Sequence, residues 1–257
     1  MSCQYLKRAP WVVLLLVFLF VGCERGYDRE EEPAEYNPLT DANVVIADYA
    51  SAAINSAGGR EAWTEVRELN LRGVVTFYRD DGGFYLTEQQ HEIRPWRDSI
   101  EVSANEPQGT FVWQFSKGAF STLEGSGRED RLPINVCEPY YARAILDIVT
   151  VPARLAEFGG ASAKRSGPVK LEGHWHYGIV AAESIWYQRT DSYLVDAIWY
   201  FDTETGRSVA VRGYDYRQVE EGGVFVPSKV EVFNAADDGS LKERLVQVDY
   251  YKLNQGQ

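Results

Sequence analysis

From Leu69 onward the chain alternates apolar and polar residues with a period of two, repeatedly, between short turn signals. Leu69, Leu71, Gly73, Val75 and Phe77 interleave with Asn70, Arg72, Val74, Thr76 and Tyr78, the pattern of a strand with one face buried. Asp80-Asp81-Gly82-Gly83 is a hairpin turn, and Phe84–Ile93 is its return strand. The same alternation marks Asp98–Ala104, Thr110–Ser116 and Ala119–Glu124, and later Trp175–Ala182, Leu194–Asp202, Arg207–Tyr216, Val224–Asn234 and Leu241–Leu253. Short turns rich in Gly and Asp make sequential neighbours antiparallel. A chain built this way folds as a single curled antiparallel sheet of about 10–11 strands, one face wet and the other packed.

Two helical stretches interrupt the strands, so the fold class is mostly β with a helical lid (α+β). Thr40-Asp41 supplies N-cap types ahead of Val45, Tyr49, Ala52 and Ala53, which recur at helical spacing, and Gly58-Gly59 is the stop. Arg60–Arg67 adds a further turn or two carrying Trp63 and Val66. In mid-chain, Pro139 suits a first helical turn. Tyr141, Ile145, Ile148 and Val149 form an apolar stripe, Arg143 and Asp147 sit four apart on the polar side, and Pro152 breaks the helix. A shorter turn with Leu155 and Phe158 follows, and Ala161–Gly167 reads as a small-residue loop. Helices inserted in such a sheet bury their apolar stripes by sitting on its concave face.

The first residues carry an address. Lys7 and Arg8 precede the unbroken apolar run Trp11–Val21, about 16 Å long as a helix and so about half a bilayer core. This is a signal-peptide core rather than a spanning helix. The run ends Phe20-Val21-Gly22-Cys23, which resembles the bacterial lipobox, with Phe20 where Leu, Val or Ile is usual. Residues 1–22 are therefore expected to leave as a signal peptide and Cys23 to carry lipid; the other reading is an ordinary secretory signal that leaves Cys23 free. Residues 23–39 are acidic, proline-containing and without hydrophobic period, an expected flexible tether. Residues 40–257 make the folded domain.

Composition excludes several functions. A formal net charge of −12 and a pI near 4.8 argue against nucleic acid as a partner. Three cysteines make no disulfide framework. No GxSxG, P-loop, GxGxxG, CxxC or HExxH element is present, so no catalytic residue, metal ligand or cofactor is assigned and the chain does not read as an enzyme. His174-x-His176 would place two imidazoles on one face of a strand, and surface histidines are preferred over a metal pair. His91 reads as a sheet-surface residue, and Cys137 as a small semi-buried one.

The aromatic supply is the informative residue class. Trp63, Trp96, Trp113, Trp175, Trp186 and Trp199 all follow the tether. A curled sheet with two modest helices offers more concave apolar surface than they cover, and such surface either packs or binds something apolar. The expected cavity lining is Val75, Phe77, Phe111, Trp113, Phe115 and Trp199, with parity as the weak point, since a one-residue slip turns each strand inside out.

At the level of order and pattern the chain resembles the LolA-like superfamily of lipoprotein carriers and outer-membrane lipoprotein-sorting proteins. The likeness lies in Ala57-Gly58-Gly59, then Ala62-Trp63-x-x-Val66 leading into Leu69-x-Leu71-x-Gly73. Toward the other end it lies in Tyr200-Phe201-Asp202-Thr203-Glu204-Thr205-Gly206 followed by Val226-Pro227-Ser228-Lys229-Val230. It spans Asp41 to Asn254 and implies a half-open β-barrel capped by helices, with a cavity for acyl chains and the two helical stretches as its lid. The carrier that crosses the periplasm is not lipidated, so anchorage through Cys23 fits receiving or holding lipid in the cell envelope better than shuttling. No ligand-contacting arginine of the family matches here. The alternative class is an envelope interaction module whose aromatics are simply core. The lipobox reading has a direct test: metabolic palmitate labels the wild-type chain and not Cys23→Ala, and equal labelling of the two would sink it.

Overall fold

Twelve strands form one antiparallel sheet in the computed structural model, which describes residues 36–41, 46–106, 109–124, 138–158, 163–181, 184–202, 207–236 and 239–256. Cys23, the signal, most of the tether and Cys137 lie outside the described residues. The strands are β1 (Leu69–Tyr78), β2 (Phe84–Arg94), β3 (Ser99–Glu106), β4 (Gly109–Ser116), β5 (Ala119–Glu124), β6 (Lys164–Leu171), β7 (His174–Ala181), β8 (Ser184–Arg189), β9 (Val195–Asp202), β10 (Arg207–Gln218), β11 (Phe225–Ala235) and β12 (Leu241–Gln255). The helices are α1 (Asp48–Ser56), α2 (Arg60–Glu65), α3 (Glu138–Val149) and α4 (Val151–Phe158). The spatial order is β5-β4-β3-β2-β1-β12-β11-β10-β9-β8-β7-β6. Two meanders, β1–β5 and β6–β12, are thus sewn together where β1 pairs with β12, and α3–α4 bridges between the two free edges.

The alternation in β1 does what its period demands. Leu69, Leu71, Val75 and Phe77 are buried in the main core, while Arg72 and Val74 face out. The sheet exceeds the ten segments visible by alternation because β6 and β8 carry weak signals. β6 is exposed along nearly its whole length; as an edge strand with Lys164, Arg165, Pro168 and Lys170 it has no buried face to impose a period and is protected against further pairing. β8 is six residues long, short enough to pass for a connection.

The sheet is curled around α3. That helix touches β3, β4 and β5 on one wing and β9, β10 and β11 on the other. In a flat sheet β4 and β9 would stand seven strand spacings apart, roughly 34 Å, against a helix about 10 Å across. Only a curl brings both wings onto one helix, and β5 and β6 remain as unpaired edges, so the barrel is half open.

The Ala57-Gly58-Gly59 and Trp63 pattern is the joint that holds α1 and α2 on this frame. Gly58 has φ +116°, and a Cβ there would lie 2.6 Å from the Gly223 carbonyl oxygen, so backbone meets backbone at the β10–β11 turn. The Ala57 carbonyl accepts from Phe225 N at 2.8 Å and from Trp63 Nε1 at 2.9 Å. Trp96 Nε1 donates to the Val66 carbonyl at 2.9 Å. The helix starts later than Thr40-Asp41 suggests: α1 opens at Asp48 behind Ala47, and Thr40 closes a turn on Asn37 instead. That turn already belongs to the fold, because Leu39 is 3% exposed in the core and Arg60 holds its carbonyl. Residues 37–39, at the expected end of the tether, therefore already pack against the domain.

The polar side of α3 is not solvated as its spacing suggests. Asp147 is buried, accepting from Arg154 Nε at 3.0 Å and from the Tyr200 hydroxyl at 3.0 Å. Arg154 continues to Asp98, the left-handed residue at φ 50° that precedes β3. One chain of contacts thus runs from β9 through α3 and α4 to the start of β3. Arg143 approaches Asp147 at 3.5 Å from a half-exposed position. Removing one partner of a buried pair strands the other charge, so Asp147→Ala is expected to cost about 3–5 kcal/mol in denaturant unfolding. Arg143→Ala is expected to cost under about 1 kcal/mol. Equal, small losses for both variants would show that the network does not hold the lid.

Candidate functional site: the inner face of the β1–β5 wing

The two wings present different inner faces. Over β9–β11 the helices are packed tight: the described void among Ala53, Ala57, Ile148, Val149, Leu194 and Phe225 is about 10 Å³, no more than a single water requires. That wing is core. On the β1–β5 wing the aromatic residues gather around Tyr141, in the first turn of α3.

Tyr141 is the hub. Its ring lies 5.5 Å from Phe77 and 5.9 Å from Trp113, both edge to face, and 6.3 Å from His91. Trp113 in turn meets Phe120 of β5 at 5.3 Å, and Phe77 meets Tyr85 of β2 at 6.3 Å. Such pairs add about 0.5–1.5 kcal/mol each beyond area burial. Of the expected lining residues, Val75, Phe77, Trp113 and Phe115 lie together in the main buried cluster. Phe111 is also buried, and shares their parity in β4.

Trp199 is corrected. It is buried on the opposite face of the sheet, in a small cluster with Ala197, Ala210 and Ala235, its ring 5.0 Å from Tyr187. The reason is parity: Ile198 and Tyr200 point to the helices, so the residue between them points away. An irregularity where β8 meets β9 at Tyr187/Gln188 hides that parity from a count along the chain.

A second correction concerns His91, which is fully buried rather than on the sheet surface. The inner residues of β2 are Thr87, Gln89, His91 and Ile93, a polar strip on an otherwise apolar face. His91 Nε2 lies 3.0 Å from Gln89 Oε1 and Nδ1 lies 2.7 Å from the Tyr250 hydroxyl. Because the amide oxygen only accepts, Nε2 carries the proton and Tyr250 donates to Nδ1. The Tyr141 hydroxyl donates to the same Gln89 oxygen at 3.0 Å. Burial lowers the His91 pKa to about 3 and pushes Tyr250 well up, so the cluster is neutral at physiological pH. The alternation of β2 shows which residues face in; that an inward histidine is satisfied by Tyr141 and Tyr250, fifty and more residues away, leaves no trace in local sequence.

The other histidines form no pair. His176 is buried and lies 2.8 Å from Asp196, while His174 is exposed beside Arg189 at 2.8 Å. Among the described residues no group of three or more His, Cys, Asp or Glu is arranged to hold a metal. The larger described groove, about 370 Å³, lies on the outer face and is polar, lined by Asn70, Arg72, Gln90, Glu92 and Lys252 among others, the wrong chemistry for an acyl chain. Among the described residues no helix is long and apolar enough to cross a membrane.

No family model matches the sequence, and no curated protein does. Solved structures do match the fold. A LolA superfamily protein from Nitrosomonas europaea aligns over 83% of this chain and 94% of its own, with a TM-score of 0.54 at 11% identity. A DUF1329 family protein from Desulfovibrio piger aligns over 80% and 91%, with a TM-score of 0.47 at 10% identity.

His91 supplies a test of this geometry. Its folded pKa lies below the ordinary value of 6.5, so the unfolded chain binds the extra proton first as pH falls. Stability is therefore complete above pH 6.5 and declines toward pH 3, by at most about 1.4 kcal/mol per pH unit from this group. His91→Gln is expected to flatten the decline in unfolding free energy over that window. An unchanged slope would mean that His91 is hydrated in solution.

Proposed function

Taking the LolA-like fold as premise, we propose that the protein is a lipid-anchored lipoprotein of the bacterial cell envelope that holds acyl chains between the β1–β5 wing and the α3 lid, in the sorting or holding of lipids or lipoproteins. Cys23 is the attachment point and the acidic residues that follow space the domain from its membrane. The protein acts as a binder and not as an enzyme.

The observation that carries this reading is the contrast between the wings. The helices seal the β9–β11 wing, whereas the β1–β5 wing is covered near Tyr141 by an interlocked set of rings. Val75, Phe77, Phe111, Trp113 and Phe115 line that wing. The lid is held by polar contacts at Asp147, six residues and about 9 Å along α3 from Tyr141. Phe77 and Phe120 carry no hydrogen-bonding side-chain groups, so their ring contacts with Tyr141 and Trp113 exchange for an aliphatic chain without stranding a polar atom. Each methylene then removed from water contributes about 0.8 kcal/mol before ordering costs.

The test uses the whole chain as Cys23→Ala, purified without detergent. Native mass spectrometry is expected to show a co-purifying acyl lipid, or else a pyrene-labelled diacylglycerol binds at micromolar concentration. Trp113→Ala is expected to weaken that binding at least tenfold with the far-UV spectrum unchanged. A clean protein mass with no probe binding overturns the proposal and leaves an interaction module with a packed core; a Trp113→Ala variant that only loses about 3–5 kcal/mol of stability points the same way.

A further inference from the structure

The polar strip on β2 is out of place in a face meant only for hydrocarbon. Val75 and Phe77 of β1 lie directly across from Thr87 and Tyr85, and Val102 of β3 lies across from His91. Burying a polar group without a partner costs about 1–3 kcal/mol, so a strip three residues long on a wall of Val, Ile and Phe calls for a use.

The hydrogen-bond inventory says what is left over. The Gln89 oxygen is fully occupied, accepting from His91 Nε2 and from the Tyr141 hydroxyl. Both ring nitrogens of His91 are engaged. The Thr87 hydroxyl is buried and has no hydrogen-bond partner. The Gln89 amide nitrogen has none among the described residues. What the strip still offers is therefore O–H and N–H donors, two residues apart on one strand and on one face.

Donors without charge suit one kind of guest. A carbonyl oxygen accepts from both and brings no charge with it. A carboxylate brings a full negative charge, and the group nearest to balancing it, His91, is neutral, its pKa held near 3 by burial. Desolvating an unpaired carboxylate costs far more than one or two hydrogen bonds return.

We propose that Thr87 and Gln89, set by the His91–Tyr141–Tyr250 cluster, form a site for the carbonyl group of an ester- or amide-linked acyl chain, so that the protein takes neutral acyl lipids in preference to free fatty acids. The proposal rests on the acyl-chain reading above and adds the chemical class of its guest. His91 is a positioning residue here: it orients Gln89 by occupying the oxygen, which leaves the amide N–H groups pointing to the guest.

The experiment compares methyl palmitate with palmitate at pH 8 as competitors of the pyrene-labelled diacylglycerol, on the Cys23→Ala chain. The methyl ester is expected to bind about tenfold more tightly, the size of one or two net hydrogen bonds. Thr87→Val combined with Gln89→Leu is expected to weaken binding of the methyl ester about tenfold, the loss of its hydrogen bonds. If the double variant does not fold, isosteric Thr87→Val is read by infrared spectroscopy of carbonyl-labelled ester. Its bound stretch lies at lower wavenumber with wild type and returns toward the free value with the variant. Equal binding of ester and acid, or methyl ester binding that both substitutions leave unchanged, overturns the carbonyl site while leaving acyl binding intact. No competition by either compound, with no probe binding, overturns the acyl reading and the site with it.

Discussion

Asp147 is where the architecture is tied. A carboxylate buried in mid-helix is costly to desolvate, and it is tolerated because its neighbours come from three directions. Arg154 arrives from the next helix, Tyr200 from the β9 wing and, through Arg154, Asp98 from the foot of β3. A sheet with two unpaired edges has no internal reason to stop curling at a given width. The α3–α4 pair, joined to both wings by this network, sets that width. The β1–β12 pairing on the far side closes the chain's two meanders into one surface, so the curl has a seam at one side and a strut across the other.

That strut divides the inner face unequally. Helix packing excludes water from the β9–β11 wing, where Ile145, Ile148 and Val149 of α3 join the main core. On the other wing the contact is made by the side of one tyrosine ring against Phe77, Trp113 and His91. The two wings thus meet the lid through different chemistry, aliphatic packing on one side and aromatic edges on the other. The asymmetry places polar hydrogen bonding at Gln89 and His91 beside the aromatic contacts and the buried ion network away from them.

How much of this could be read in advance depends on the range of the interaction. Val75, Phe77, Trp113 and Phe115 share a face because parity within one strand is a local property. The side Trp199 takes is not legible because an irregularity at Tyr187/Gln188 breaks the count. β6 leaves no signal because an exposed edge strand has no buried face to write a period. A lone histidine between Gln90 and Glu92 reads as surface, since it carries no sign of Tyr141 and Tyr250, fifty and more residues away. Leu39 reads as tether because one apolar residue has no period, yet it is buried in the core and Arg60 holds its carbonyl.

By itself the sequence determined the antiparallel meanders, the α3–α4 insert, the Gly58-Gly59 stop and the inward residues of regular strands. All of these follow from backbone conformation and side-chain alternation within a few residues. Tertiary structure alone decided which wing is packed by aliphatic side chains and which by aromatic rings, that Asp147 is a strut rather than a solvated charge, and that the β2 strip is neutral and donor-rich. Burial and hydrogen-bond partnership are properties of what lies across the fold, and a carboxylate or imidazole takes its charge state and its role from those neighbours.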